Sequence, residues 1–230
     1  MIYENIQRGI FQSRPNRFIA HVVVNGKTEI CHVKNTGRCK ELLISGVIVY
    51  VQSNDNPNRK TKFSLIAVQK GDRLINMDSQ IPNKVVLEWI LQGNLFNDII
   101  KIKPESTYKN SRFDLYVETE TQKAFVEVKG VTLEKDAIAM FPDAPTLRGL
   151  KHVTELIDAK KNGYDCYIIF VIQMDKIKHL SPNYTTHREF GRALELAQLS
   201  GVNILAYECD ISPGSIAITK SVPVILGENI

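Results

Sequence analysis

Asp114, Glu127 and Lys129 lie in one short stretch, FDLYVETETQKAFVEVKG (113–130), whose other residues read as two strands and a tight turn. Two carboxylates brought together suit a hard divalent cation. Mg²⁺ prefers oxygen ligands and is typically held by one or two carboxylates plus waters and substrate phosphates, and Mn²⁺ is the alternative ion. A lysine beside such a pair can orient or deprotonate an attacking water, or neutralise charge on a phosphorane-like transition state. Arg112 can meet a phosphate. The spacing predicts how these groups meet. A turn centred on Glu120-Thr121, or a four-residue turn from Thr119 to Gln122, places Asp114 opposite Glu127 and Arg112 opposite Lys129. Glu127 and Lys129, two apart, share a face with Asp114. Phe113, Leu115 and Val117 then take the other face with Ala124, Val126 and Val128. Like charges opposed at about 5 Å cost a strand pair a few tenths to about 1 kcal/mol, which a bound cation offsets. The competing reading is a solvated face with a diagonal Asp–Lys pair.

The elements around this hairpin follow from period and punctuation. From residue 81, Asn83 is expected to cap a helix over KVVLEWILQ that stops at Gly93. Glu88 is the only charge inside its apolar run, where a surface glutamate is the plain reading. The loop VTLEKDAIAMFPDAPT follows the hairpin. A helix over 146–162 comes next, with Leu147, Leu150, Val153 and Ile157 inward and Arg148, Lys151 and His152 on its other face. CYIIFVIQ (166–173) reads as a strand buried on both sides. A helix over 186–200, with Phe190, Ala193, Leu194 and Ala197 inward, then leads to the strand VNILAYEC. This succession describes a mixed α/β (α+β) domain over 81–230.

Residues 1–80 look all-β. RFIAHVVV, an Asn25-Gly26 turn and KTEICHV form a hairpin. VIVYVQ, KFSLIAVQ and RLINMD complete five strands, with the polar loop SNDNPNRKT between the third and fourth. Five short strands suggest a small closed barrel, of which the nucleic-acid-binding OB-fold is one example and an SH3-like barrel without a ligand another. HVKNTGRCKELL sets Lys34, Arg38 and Lys40 around Asn35-Thr36-Gly37, where turn amides and cations can receive a phosphate.

The whole chain limits the function classes. At 230 residues and 43% hydrophobic it can bury a sizeable core. No run of about 18 apolar residues suggests a membrane span and no leader follows Met1, so a cytoplasmic, soluble protein is expected. Cys31, Cys39, Cys166 and Cys209 form no CxxC pair, and Cys31, His32 and Cys39 fit no common zinc spacing. Residues 1–80 carry twelve Lys or Arg against six Asp or Glu, whereas the remainder carries seventeen against nineteen. A basic first part hints at nucleic acid, although ordinary solvated lysines give the same count.

Asp114, twelve residues, then Glu127-Val128-Lys129 resembles the core of the PD-(D/E)xK nucleases, and the helix with Glu88 resembles the one that brings their extra acid. Over nearly its whole length the chain resembles the SfsA (sugar fermentation stimulation protein A) family. The matching stretches are HVKNTGRCKELL, IPNKVVLEWI, SRFDLYV, FVEVKGVTL, FPDAPTLRGLKHVTEL and GVNILAYECDIS. The resemblance implies an OB-like domain over 1–80 and a restriction-endonuclease-like domain over 81–230. It also implies binding to DNA, or to RNA, and a regulatory link to sugar (maltose) metabolism. The family's acids fall on Glu88, Asp114 and Glu127 and its lysine on Lys129, while Asp143 and Arg148 fall in its FPDA…RG motif. One departure is Gly130, where the family often has Ser, which enlarges backbone freedom beside the site. On this reading Asp114, Glu127 and Glu88 hold Mg²⁺ or Mn²⁺, aided by the Val128 carbonyl, and Lys129 acts on water or the transition state. Arg112, Arg148 and Lys151 meet the nucleic-acid backbone, as do Arg17, Lys34 and Arg38 on the barrel, and a homodimer is an allowed assembly. The rival readings are a DNA-binding regulator that keeps the scaffold without cleaving, and a small-molecule or protein-interaction module.

Overall fold

The computed structural model describes residues 1–35, 37–54, 56 and 59–228. Thr36 of the expected phosphate turn, and Asp55, Pro57 and Asn58 of the polar loop, lie outside the described residues. The first sheet contains β1 (Ile6–Asn16), β2 (Ile19–Val24), β3 (Lys27–Val33), β4 (Ile48–Ser53), β5 (Phe63–Lys70) and β6 (Arg73–Asn76). Asn25 and Gly26 both take positive φ, as the expected two-residue hairpin turn requires. Ala20, Val22 and Val24 of β2 alternate into the core. The strand order β3-β2-β1-β4-β5, with β3 also paired to β5 in parallel, closes a five-stranded barrel.

The barrel has the expected number of strands but not the expected members. β6 lies outside the closure as a hairpin on β5, and its place is taken by β1, which the sequence pattern does not announce. IQRGIFQSRPN mixes charges, Gly and Pro, and the strand breaks its register with β2 twice. Gly9 lets it pass close beneath its neighbour, because a Cβ there would stand 2.5 Å from Val22 Cγ1.

The second sheet runs β15-β14-β12-β9-β8-β7. Its strands are β7 (Ile99–Tyr108), β8 (Ser111–Thr119), β9 (Lys123–Val131), β12 (Asp165–Ile172), β14 (Asn203–Ser212) and β15 (Ser215–Ser221). β12 lies parallel to both β9 and β14. Ile168, Phe170 and Ile172 of β12 enter the core beneath α2 (Leu147–Lys161) and α3 (Tyr184–Leu199), while Ile169 and Val171 enter the core beneath α1 (Ile81–Leu91). This two-sided burial is why CYIIFVIQ is apolar without alternation. β10 (Leu133–Lys135), β11 (Ile138–Phe141) and β13 (His179–Pro182) form a small third sheet, two of whose strands occupy the expected loop after the hairpin.

Two helices depart from expectation. α1 begins after Gln80, with Pro82 in its first turn, so Asn83 sits inside the helix rather than capping it. In α2 the buried residues include Gly149, His152, Val153 and Leu156, while Leu147 is 77% exposed. The inward face is therefore rotated and takes in His152. Thr146 caps α2 by accepting the Gly149 N–H at 3.0 Å.

The barrel and the second sheet share a polar seam. Gln173, just beyond β12, donates from Nε2 to the Asn76 carbonyl, Asn76 Oδ1 and the Asp78 carbonyl at 3.0–3.1 Å. The Asn76 N–H returns a bond to the Gln173 carbonyl at 3.0 Å. Glu134 on β10 is clamped by Lys70 and Arg73 of the β5–β6 hairpin at 2.6 and 3.0 Å. All four cysteines are buried and free. Among the described residues no helix is long and apolar enough to cross a membrane.

Candidate active site

The hairpin has the expected even register, from Leu115 opposite Val126 to Glu118 opposite Lys123, closed by the Thr119 N–H on the Gln122 carbonyl at 2.9 Å. The pairing ends before Asp114. There β8 leaves β9, and the Asp114 carboxylate takes the place of a backbone partner: Oδ2 accepts the Val128 N–H at 2.7 Å. Oδ1 accepts from Asn83 Nδ2 of α1, also at 2.7 Å. Phe113 does not share a face with Leu115 and Val117, as alternation alone requires. It packs in the α2-side core, with its ring centroid 5.2 Å from that of Phe125, whereas Leu115 and Val117 belong to the α1-side core. Arg112 is likewise not opposite Lys129. It is exposed and pairs with Glu105 at 3.4 Å.

Glu127, in the middle of β9, is buried with a side chain only 3% exposed. Its Oε1 accepts from His152 Nδ1 at 2.5 Å and from the Lys129 ammonium. Its Oε2 is buried and has no hydrogen-bond partner. The two acids answer burial differently. For Asp114, desolvation and then the charge of Glu127 push the carboxyl above its usual range, against the Val128 amide, Lys129 and Asn83. For Glu127, desolvation also pushes upward, but the bonds from His152 and Lys129 outweigh it and hold the carboxyl below its usual range.

Glu88 is not brought to this site. Its Oε2 accepts from the Met1 ammonium at 2.7 Å, beside Ala217 and Ile218 of β15. Asn83 and Glu88 are five residues apart, about 140° around the helix axis, so α1 presents the amide rather than the acid to Asp114. Gly130 also has a different role from the one expected. Its φ is not positive. A Cβ there would stand 2.6 Å from Gln173 Oε1 and 2.7 Å from Pro82 Cγ, so glycine provides space for packing rather than backbone freedom.

The cations divide into used and free. Lys34 is half-buried, its ammonium paired with the buried Asp78 at 2.6 Å, and it stands outside the cleft that the other barrel cations line. Arg17 is exposed, its guanidinium 4.8 Å above the Phe18 ring. Arg17, Arg38 and Lys40 line a cleft of ≈ 590 Å³ on the barrel together with Arg14, Phe11 and Leu43. Arg14, which sequence reading passed over, frames this cleft by donating to the carbonyls of Arg17, Asn35, Gly37 and Arg38 at 2.7–2.8 Å. Arg148 is exposed one turn before His152 on α2, and Lys151 donates to the Asn110 carbonyl at 2.7 Å. Asp143 lies against Gly37, where a Cβ would meet its Oδ2 at 2.1 Å. His152 was also missed. The helical spacing Gly149–His152–Val153–Leu156 marks it as inward, provided that Leu147 is not taken as the start of the stripe.

Asp114 and Glu127 offer a cation oxygen only, and the unpartnered Glu127 Oε2 is the atom such an ion would satisfy. Among the described residues no group of three or more acidic, histidine or cysteine side chains converges as a ligand cage. A two-carboxylate set fits Mg²⁺ or Mn²⁺ completed by water and phosphate better than a closed structural site.

An OB-type barrel sealed onto a mixed sheet that carries this acid pair and lysine defines a two-part class of protein. A family model described as the SfsA N-terminal OB domain matches residues 13–77, and one described as the sugar fermentation stimulation protein RE domain matches residues 80–215. The chain belongs to the SfsA, or sugar fermentation stimulation protein, family. It is 62% identical to a sugar fermentation stimulation protein homolog of Clostridium beijerinckii, over 98% of this chain and 100% of that one. It is 63% identical to a homolog from Ruminiclostridium cellulolyticum with the same coverage. The solved structure of Pyrococcus furiosus SfsA in complex with Ca²⁺ matches with a TM-score of 0.86 and 26% identity, covering 98% of each chain.

Proposed function

We propose that this protein binds nucleic acid and hydrolyses its phosphodiester bonds with Mg²⁺ or Mn²⁺ held by Asp114 and Glu127. The observation that carries the reading is the buried Glu127 Oε2, which lacks a partner beside a second carboxylate. A buried acceptor without a partner costs about 1–3 kcal/mol, and a cation recovers that cost. The Pyrococcus furiosus SfsA solved in complex with Ca²⁺ supports a divalent ion in this fold. When bound, the ion supplies Lewis acidity to the phosphoryl group. The protein's own groups do the rest. Asn83 and the Val128 amide orient Asp114, and His152 orients Glu127. Lys129 turns from Glu127 to orient the attacking water and offset charge on the phosphoryl oxygens. Arg148 and Lys151 meet the backbone near the site, and Arg17, Arg38 and Lys40 grip it in the barrel cleft.

The test is cleavage of single- and double-stranded DNA and RNA with Mg²⁺ or Mn²⁺. Asp114→Asn and Lys129→Ala are expected to abolish cleavage while binding survives. If the wild-type protein cleaves none of these with any divalent ion, the enzymatic reading fails. A second reading, a DNA-binding regulator that does not cleave, is favoured by the cleft, whose exposed cations stand apart from the carboxylates. It predicts salt-sensitive binding without hydrolysis.

A further inference from the structure

We propose that His152 is the positioning residue of the carboxylate pair: it holds Glu127 by Oε1, turns Oε2 toward the cation, and frees Lys129 to leave for the substrate. The inference rests on the metal-site reading and extends it to a residue on another element. A carboxylate can only accept hydrogen bonds, so His152 Nδ1 carries the hydrogen in its 2.5 Å contact with Glu127. Both donors converge on Oε1, leaving Oε2 without one. The buried oxygen left without a donor is the one open to a cation.

His152 is also well fixed. It is 6% exposed, its ring stands nearly perpendicular to that of Phe113 with centroids 6.1 Å apart, and it is followed on α2 by the fully buried Val153. α2 in turn is seated by its Thr146 cap and by Gly149, where a Cβ would come within 3.2 Å of Phe190 Cε2. Lys129 is the longer and freer of the two donors. If it were alone, its departure toward a phosphate would strip the buried Glu127 of every hydrogen bond. With His152 in place, Glu127 keeps one. Histidines and other groups that orient metal ligands typically change metal affinity or activity by about 10–100-fold when removed.

The experiment is calorimetric titration of the full chain with Mn²⁺, run alongside thermal melting without metal. His152→Ala is expected to weaken Mn²⁺ binding by about tenfold or more. His152→Asn restores a donor near the position of Nδ1 and is expected to return affinity to within about threefold of wild type. Where substrate turnover is measurable, His152→Ala lowers kcat more than it raises KM. Wild-type Mn²⁺ affinity in His152→Ala overturns the proposal, as does a well-folded His152→Asn that remains as weak as the alanine variant. If wild type binds Mn²⁺ and Asp114→Asn does not, either of those results removes only the role of His152. If wild type binds no Mn²⁺, the metal reading falls and this inference falls with it.

Discussion

Burial and the charge of Glu127 lift the Asp114 carboxyl, while Glu127 is held down by His152 and Lys129 against its own burial. Their effects on stability therefore have opposite signs. Folded Asp114 binds its proton more tightly than the unfolded chain does, so its contribution falls as pH rises through the raised pKa. Glu127 stabilises the fold above its unfolded range and loses that contribution as pH falls through its lowered pKa. Asp114→Asn is accordingly expected to stabilise the metal-free protein by about 1 kcal/mol at neutral pH, a usual gain when a functional site is relieved. Urea unfolding in EDTA measures it. The gain should vanish near about pH 3, where the carboxyl is protonated in both states. Added Mn²⁺ should then stabilise wild type but not the variant, and equal stability at neutral pH would refute the argument. The acids and lysine were legible in the sequence because their spacing matches a hairpin with an even turn. His152 and Asn83 were not, because their roles depend on how far α2 and α1 rotate about their own axes.

At the level of elements, the barrel cleft shows why a count of cations does not identify a binding surface. Lys34 and Arg38 look equivalent in HVKNTGRCKELL, yet one is spent on the buried Asp78 and the other faces the cleft. Arg14 spends its guanidinium on four carbonyls, holding the segment that displays Arg38. Arg38→Ala and Lys40→Ala are each expected to weaken nucleic-acid binding and lower the salt slope by about one unit. Lys34→Ala should leave the slope unchanged and cost about 1–3 kcal/mol of stability, because the buried Asp78 carboxylate keeps only the neutral donors of Gln80 and Tyr3. Binding titrations at several salt concentrations, with melting of the same variants, separate the two outcomes. A lowered slope in Lys34→Ala would return that lysine to the interface. The strands were legible where the signal is local, as at Asn25-Gly26 and in the doubly buried β12. β1 escaped because its fit depends on Gly9 passing under Val22, a contact between residues distant in sequence. Glu88 was misplaced for a related reason, since its VVLEWIL context gives the helix but not the neighbour that its acidic face meets.

Across the whole molecule, the barrel and the sheet are joined by polar groups that neither part satisfies alone. Gln173 gives its amide to Asn76 and Asp78, and Glu134 is closed by Lys70 and Arg73. Asn76→Ala and Gln173→Ala should each destabilise the protein, and together by less than their sum. Chemical unfolding of the single and double variants is expected to give a coupling of about 0.5–3 kcal/mol, whereas strict additivity would mean that the seam is only a contact. The same groups reach β9, because Gln173 and Pro82 occupy the space that a side chain at Gly130 would need. The two family segments meet near residues 77–80, which looks like a natural crossover point for recombination between relatives. A chimera cut there would inherit Asn76 from one parent and Pro82, Gly130 and Gln173 from the other. A working chimera must therefore keep this quartet compatible, and its first part must still offer Gln173 the acceptors that Asn76 and Asp78 supply.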